Sequence, residues 1–249
     1  MPNPWDVGSA RLLVQLGFPA LATTSSGFAW SMGLTDHQPS LEQTLEHFQT
    51  MSRSVGVPIN ADFEGGYAVE PEKVAANVAA AVKTGIAGIS IEDSTDDASN
   101  PLFEFDLSVK RVRAAREAID KSGTGVLLTG RSEGFIAGRP DIRETIRRLT
   151  AYAEAGADCL YAPGLKNMDD IQAVVKAAAP KPVNVLAGSD FTTVAALAAA
   201  GVRRISVGGA LARTAWTGFL AAAKEIAEKG TFSALGRAVS GADLNGRFQ

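Results

Sequence analysis

The chain has 249 residues, with 24 Lys and Arg against 27 Asp and Glu, a formal net charge of −3 and one cysteine, Cys159. That length fits one α/β barrel or two smaller domains, and no Pro-, Ser- or charge-rich linker divides the chain, so a single domain over 1–249 is expected. The scattered basic residues form no stripe for nucleic acid, no apolar stretch is long enough to span a bilayer, and a lone cysteine excludes an internal disulfide or a cysteine metal cluster.

The start, MPNPWDVGSA, has no basic segment leading into an apolar core, and a cytoplasmic protein is the expectation. Along the chain, helix ends run repeatedly into short apolar segments: Leu16-Gly17-Phe18-Pro19-Ala20-Leu21, Thr84-Gly85-Ile86-Ala87-Gly88-Ile89, Ala155-Gly156-Ala157-Asp158-Cys159-Leu160 and Ala200-Gly201-Val202-Arg203-Arg204-Ile205. Each joins a glycine suited to a left-handed helix cap to a run with the length of a buried parallel strand. Strands are predicted near 20–24, 57–62, 88–92, 126–131, 159–162, 182–187 and 204–208, with Ala-rich amphipathic helices between them.

This alternation predicts an α/β fold, a single (β/α)8 TIM-type barrel. Its first strand is confined to the stub Met1-Pro2-Asn3, either shortened or clipped. A doubly wound sheet would carry a phosphate-binding glycine turn after its first strand, and none is present.

Polar residues collect where these runs end, which in a parallel barrel is the catalytic rim. Thr23-Thr24-Ser25-Ser26-Gly27-Phe28 is either a plain Ser/Gly turn or a set of backbone N–H groups for a carboxylate or oxyanion. Asp36 serves the site or only the turn before the next helix. His37 and His47 lie near or on the helix opening at Ser40, where Gln43 completes a capping box, and are expected at the surface.

Asn60-Ala61-Asp62-Phe63-Glu64-Gly65-Gly66-Tyr67 places two acids two residues apart at a strand end, a pattern that suits Mg²⁺ with one direct carboxylate and others holding its waters. Glu92 and Asp93 follow the next strand, and so many acids on one rim need a cation or an arginine among them. Arg131 can clamp a carboxylate through two parallel hydrogen bonds, or form a structural ion pair with Glu133 or Glu92. Cys159 is expected in core packing. Asn184 is a polar residue in a buried strand and needs a partner there, ligand or core.

On these residues the chain resembles the isocitrate lyase and phosphoenolpyruvate mutase superfamily, from Asn3-Pro4-Trp5-Asp6 to Ala210-Leu211-Ala212-Arg213. The most specific matches are Asp62-Phe63-Glu64-Gly65-Gly66-Tyr67 to a D-x-[DE]-x-G-[YF] metal motif, Ile91-Glu92-Asp93 to an E-D pair, and Gly130 to Gly138 to an arginine strand. The resemblance implies Mg²⁺ held by Asp62, Glu64, Glu92 and Asp36, with Arg131, Glu92, Glu64 and Tyr67 as catalytic groups. It also implies that Ser26, Gly27 and Phe28 contact a small 2-oxo or 2-hydroxy acid, with Trp5 and Asn184 as further candidate contacts, in a homodimer or homotetramer that exchanges its last helix.

Two departures narrow the activity. Where the isocitrate-cleaving lyases carry a K-x-C-G-H loop, this chain reads Ser94 to Phe103 with no cysteine. Where the mutases and phosphonopyruvate hydrolases carry a histidine, it has Tyr161-Ala162-Pro163. The expectation is a Mg²⁺-dependent carbon–carbon lyase or decarboxylase working through an enolate. The alternatives are a phosphorus–carbon hydrolase or mutase and a non-catalytic 2-oxo acid binder.

Overall fold

The computed structural model describes residues 1–95 and 97–249. Seven strands, β1 (Leu21–Ala22), β2 (Ile59–Asp62), β3 (Gly88–Glu92), β4 (Leu127–Arg131), β5 (Cys159–Tyr161), β6 (Val183–Leu186) and β7 (Arg204–Ser206), pair in parallel in chain order. The helices are α1 (Val7–Gln15), α2 (Ser25–Ser31), α3 (Leu41–Ser54), α4 (Pro71–Ala81), α5 (Phe105–Ser122), α6 (Ile142–Glu154), α7 (Met168–Ala178), α8 (Val194–Ala199), α9 (Ala210–Lys229) and α10 (Gly241–Arg247). Each strand falls inside its predicted window, and the architecture is a nearly closed TIM-type barrel.

The helices start and stop for local reasons. Ser40 caps α3 with the predicted box to Gln43, and the left-handed Gly123 (φ 65°) ends α5. β3 is buried at all five positions, as a parallel strand covered by helices should be. The main core runs from Phe48, Phe63 and Val74 through Ile89, Ile91 and Leu128 to Leu160 and Val185, and Leu13, Leu21, Met51 and Ile59 form a smaller cluster between α1, α3 and the first strands.

No eighth strand forms among the described residues. Pro2 and Pro4 lack the N–H groups a ladder needs, and single hydrogen bonds span the gap between β1 and β7 instead. The Ala22 N–H donates to Pro2 O (3.0 Å), and the Met1 amine donates to Ile205 O (2.8 Å). The Asn3 side chain donates to Thr23 O (2.8 Å) and accepts from the N–H groups of Val207 (2.8 Å) and Gly208 (3.0 Å). The predicted eight-stranded barrel is therefore seven strands and a bridging segment.

Of the 20 residues of α9 only Ala212 is buried, and Trp216, Phe219 and Leu220 are exposed rather than packed on the barrel's foot. Among the described residues no helix is long and apolar enough to cross a membrane.

Candidate active site

Side chains alternate in and out along a strand, and that period selects the site. Asn60 and Asp62 on β2, Ser90 on β3, and Arg131 on β4 line one cavity of about 210 Å³ at the carboxyl end of the barrel. Ile89 and Ile91, one residue out of phase on β3, join the hydrophobic core.

Arg131 sits at the centre of the rim acids. Its Nη1 donates to Asp62 Oδ1 (3.1 Å) and pairs with Glu92 Oε2 (3.0 Å), while its Nε meets Glu133. The ion pair with Glu133 and Glu92 that the sequence left open is thus present, and Asp62 joins it. Asp62 also accepts from the Ser25 N–H (3.0 Å) through Oδ2. Burial lifts the carboxyls of Glu92 and Glu133 above their ordinary range against the pull of Arg131, Glu133 to about 8.

Glu92 and Asp93, adjacent in sequence, part company. Asp93 turns outward toward α6, where it accepts from the Glu133 N–H (2.7 Å), Arg148 Nη1 (3.0 Å) and the Tyr152 hydroxyl (2.6 Å). It therefore pins the loop that carries Glu133.

Glu64 lies beside the central cluster. It accepts from the Tyr67 hydroxyl (3.2 Å) and pairs with His37 Nδ1 (3.0 Å), and Thr44 Oγ1 is 2.7 Å from the same hydroxyl. Glu64 (φ 49°), Tyr67 (φ 56°) and His37 (φ 64°) all adopt left-handed backbone conformations, a cost that structures accept mainly at functional sites. Arg111 holds the strained loop by donating to the carbonyls of Gly65, Ala68 and Val69. Tyr67 borders a second rim cavity together with Glu64 and Glu92, none of which lines the central one, and its hydroxyl donates to Glu64 there.

The Thr23 to Phe28 segment is the N-terminus of α2, capped by Thr24. Its N–H groups are less open than the sequence suggests, because Asp62 takes that of Ser25 and Thr24 Oγ1 takes that of Gly27 (3.3 Å). Ser26 lines the central cavity. Gly27 is packed so closely that a Cβ there would lie 2.7 Å from Thr24 Cγ2 and 2.9 Å from Trp5 Cβ. Trp5 thus backs the turn from outside the cavity lining. Phe28 stacks on His47, with ring centroids 4.0 Å apart.

The surface expectation fails for His47, which is buried on the inner face of α3. His37 is nearly half exposed as expected, but its partner Glu64 draws it into the site. Burial pushes the His47 imidazole down to about 4, below its ordinary 6.5. Between those values the unfolded chain binds a proton that the native state refuses, so stability present above pH 6.5 is lost as pH falls toward 4, by up to about 3 kcal/mol. His47→Phe should therefore lose less stability than the wild type between pH 7 and pH 4.5 in urea titrations. An equal loss in both proteins would refute this account.

Asn184 makes core hydrogen bonds, donating to Ser206 Oγ (2.9 Å) and accepting from Arg204 Nε (3.1 Å), and also lines the cavity. Cys159 is buried, as expected. Arg204, Tyr161 and Arg111 were missed as site residues. The inward period of β7 and the end of β5 pointed to the first two, but Arg111 reaches its loop from mid-helix and left no local signal.

Among the described residues no three His, Cys, Asp or Glu side chains converge into a preformed ion cage. A hard cation that keeps most of its water still fits. The donors are all oxygen, Asp62 borders the cavity, and Asp36 Oδ1 is buried with no partner on the same cavity.

The phosphoenolpyruvate phosphomutase family model matches residues 1–227. A "putative lyase/mutase" structure from Burkholderia cenocepacia J2315 is 45% identical, covering 100% of this chain and 89% of that one, with a TM-score of 0.96. A phosphonopyruvate hydrolase complex with oxalate and Mg²⁺ is 25% identical, covering 98% and 89%, with a TM-score of 0.84. Oxaloacetate decarboxylase from Bradyrhizobium diazoefficiens is 28% identical over 181 residues, 70% of this chain and 61% of the relative. With a family match over most of its length and its acids and arginine gathered on the barrel rim, the chain belongs to the phosphoenolpyruvate phosphomutase family, within a superfamily of lyases, mutases and hydrolases.

Proposed function

We propose that this chain is a Mg²⁺-dependent lyase that breaks a carbon–carbon bond in a small 2-oxo or 2-hydroxy dicarboxylic acid, with decarboxylation as the favoured reaction. The observation that carries this reading is the central cavity itself. Asp36, Asp62, Arg131 and Tyr161 border it, and among the described residues its lining holds no histidine or cysteine. Decarboxylation needs an electron sink and a later proton, whereas aldol-type cleavage also needs a base. The similarity to an oxaloacetate decarboxylase supports the same choice.

Asp62 would hold the cation directly, with Glu64, Glu92 and Asp36 holding its waters. When bound, the cation supplies a Lewis acid for the substrate's carboxylate and 2-oxygen. Arg131 keeps Nη2 free of protein hydrogen bonds among the described residues and donates it to the substrate carboxylate. As the bond breaks, charge moves into a pyruvate-like enolate, which the arginine stabilises more than the ground state.

Tyr161 returns the proton. Its ring lies 5.3 Å from the Arg131 guanidinium, and burial pushes its hydroxyl up to about 12, so it keeps its proton at neutral pH. Tyr161→Phe is expected to lower kcat by roughly 100-fold with KM within about twofold. Unchanged kcat would remove Tyr161 from the mechanism.

The exposed Trp216, Phe219 and Leu220 support a homodimer or homotetramer. A proton and phosphorus NMR time course tests the activity, using oxaloacetate, 2-methylisocitrate and phosphonopyruvate with Mg²⁺ or EDTA against metal-only controls. Mg²⁺-dependent pyruvate from a carbon substrate is the expected result, and phosphate release from phosphonopyruvate would refute it.

A further inference from the structure

The interior of the barrel holds a cation without a counter-ion. A parallel barrel is usually filled by layers of side chains from alternate strands, mostly branched and apolar. Here β2, β4 and β6 contribute Asn60, Thr129 and Asn184, all buried, and the fourth place of that layer falls on the bridging N-terminal segment. The Arg204 guanidinium reaches in from β7. Its Nε donates to Asn184 Oδ1 (3.1 Å), Nη1 to Asn60 Oδ1 (3.3 Å) and Nη2 to Thr129 Oγ1 (2.9 Å).

All three acceptors are neutral, and among the described residues no carboxylate lies within ion-pair distance of Arg204. A guanidinium has five N–H donors, so two are left over. Arg204 lines the same cavity as Asp62 and Arg131, and the Met1 amine borders it too, donating to Ile205 O. Arg131 already answers to three carboxylates, so among the described residues the positive groups on the cavity without a carboxylate partner are the Met1 amine, Arg204 and Arg213, and of the two arginines Arg204 is the one held between strands by three neutral side chains.

We propose that Arg204 binds the far carboxylate of the substrate, so that the site selects a dicarboxylate over the matching monocarboxylate; this rests on the 2-oxo or 2-hydroxy acid reading above. Asn60, Thr129 and Asn184 hold the guanidinium in place without neutralising it, which leaves its charge for the ligand. A second carboxylate left unpaired in the cavity would be repelled by Asp36 and Asp62, which line it, so the arginine both attracts the dicarboxylate and offsets that repulsion.

Malate and 2-hydroxybutyrate test the assignment, because they share the carboxylate and 2-hydroxyl and differ only in a terminal carboxylate or methyl. Racemic forms of both are titrated calorimetrically into the Mg²⁺-loaded wild type, Arg204→Gln and Arg204→Lys, with thermal melts confirming that each variant folds. Gln retains donors for the neutral acceptors, and Lys retains the charge.

The wild type is expected to prefer malate by roughly 10- to 100-fold. Arg204→Gln should reduce that preference to within about threefold with little change for 2-hydroxybutyrate, and Arg204→Lys should restore most of it. A purely structural arginine would weaken both ligands alike, and an unchanged preference in Arg204→Gln overturns the assignment. So does a wild type that fails to prefer malate. If Arg204→Gln fails to fold, loss of the malate preference in a folded Arg204→Lys overturns it. Lost preference in Arg204→Gln together with a wild type that turns over no substrate in the NMR panel would refute the lyase reading alone, and wild-type turnover with the preference kept in Arg204→Gln would refute only the role of Arg204.

Discussion

Asp62→Ala is expected to lower Mg²⁺-dependent turnover by about 1000-fold or more and to melt within a few degrees of the wild type. The carboxylate ends β2 on the cavity wall, where it meets Arg131 Nη1 and the Ser25 N–H. Its removal leaves Arg131 paired with Glu92 and Glu133, so no buried charge is orphaned. The side chain is about one-sixth exposed, which lets water reach the vacated donors. Asp62→Asn keeps the shape without the charge and should be nearly as inactive, because a hard cation requires the carboxylate. Pyruvate formation from oxaloacetate, followed with Mg²⁺ and with EDTA, is the measurement. Full activity in the alanine variant would sink the metal assignment.

One residue beyond the same rim, Asp93→Ala should cost the fold rather than the chemistry alone. Asp93 is 2% exposed and joins Arg148, the Tyr152 hydroxyl and the Glu133 N–H. Breaking a buried ion pair by deleting one partner strands the other charge, at about 3–5 kcal/mol. Arg148 keeps Glu144 (2.8 Å), which lies nearer solvent and recovers part of the loss. Urea unfolding of wild type, Asp93→Ala and Asp93→Asn gives the number, with the asparagine intermediate because it still accepts hydrogen bonds. A loss under about 1 kcal/mol in the alanine variant would show that Asp93 does not hold α6 to the rim.

These two acids mark where local pattern stops determining position. Both follow the same apolar run and look alike as an E-D pair, but the strand period ends at Glu92, and the direction Asp93 then takes depends on Arg148 and Tyr152, 55 and 59 residues later. The sequence points only to a surface position for His37, for a related reason. Its contact with Glu64 joins residues 27 apart through two left-handed backbone conformations that no periodicity announces. Arg204 lies on the inward period of β7, but what its charge does there is legible only with the three neutral acceptors from other strands around it.

The seven strands, their glycine-capped approaches and the carboxyl-end rim bearing Asp62, Glu92 and Arg131 were determined by the sequence alone, because alternation, helix caps and strand length act within a few residues. The tertiary structure decided how the barrel closes through Met1 to Asn3, which acids share Arg131, that Asp93 faces outward, that His47 is buried against Phe28, and where the free guanidinium of Arg204 lies. All of these depend on contacts between residues distant in the chain. Burial and charge compensation are settled there only when the strands come together.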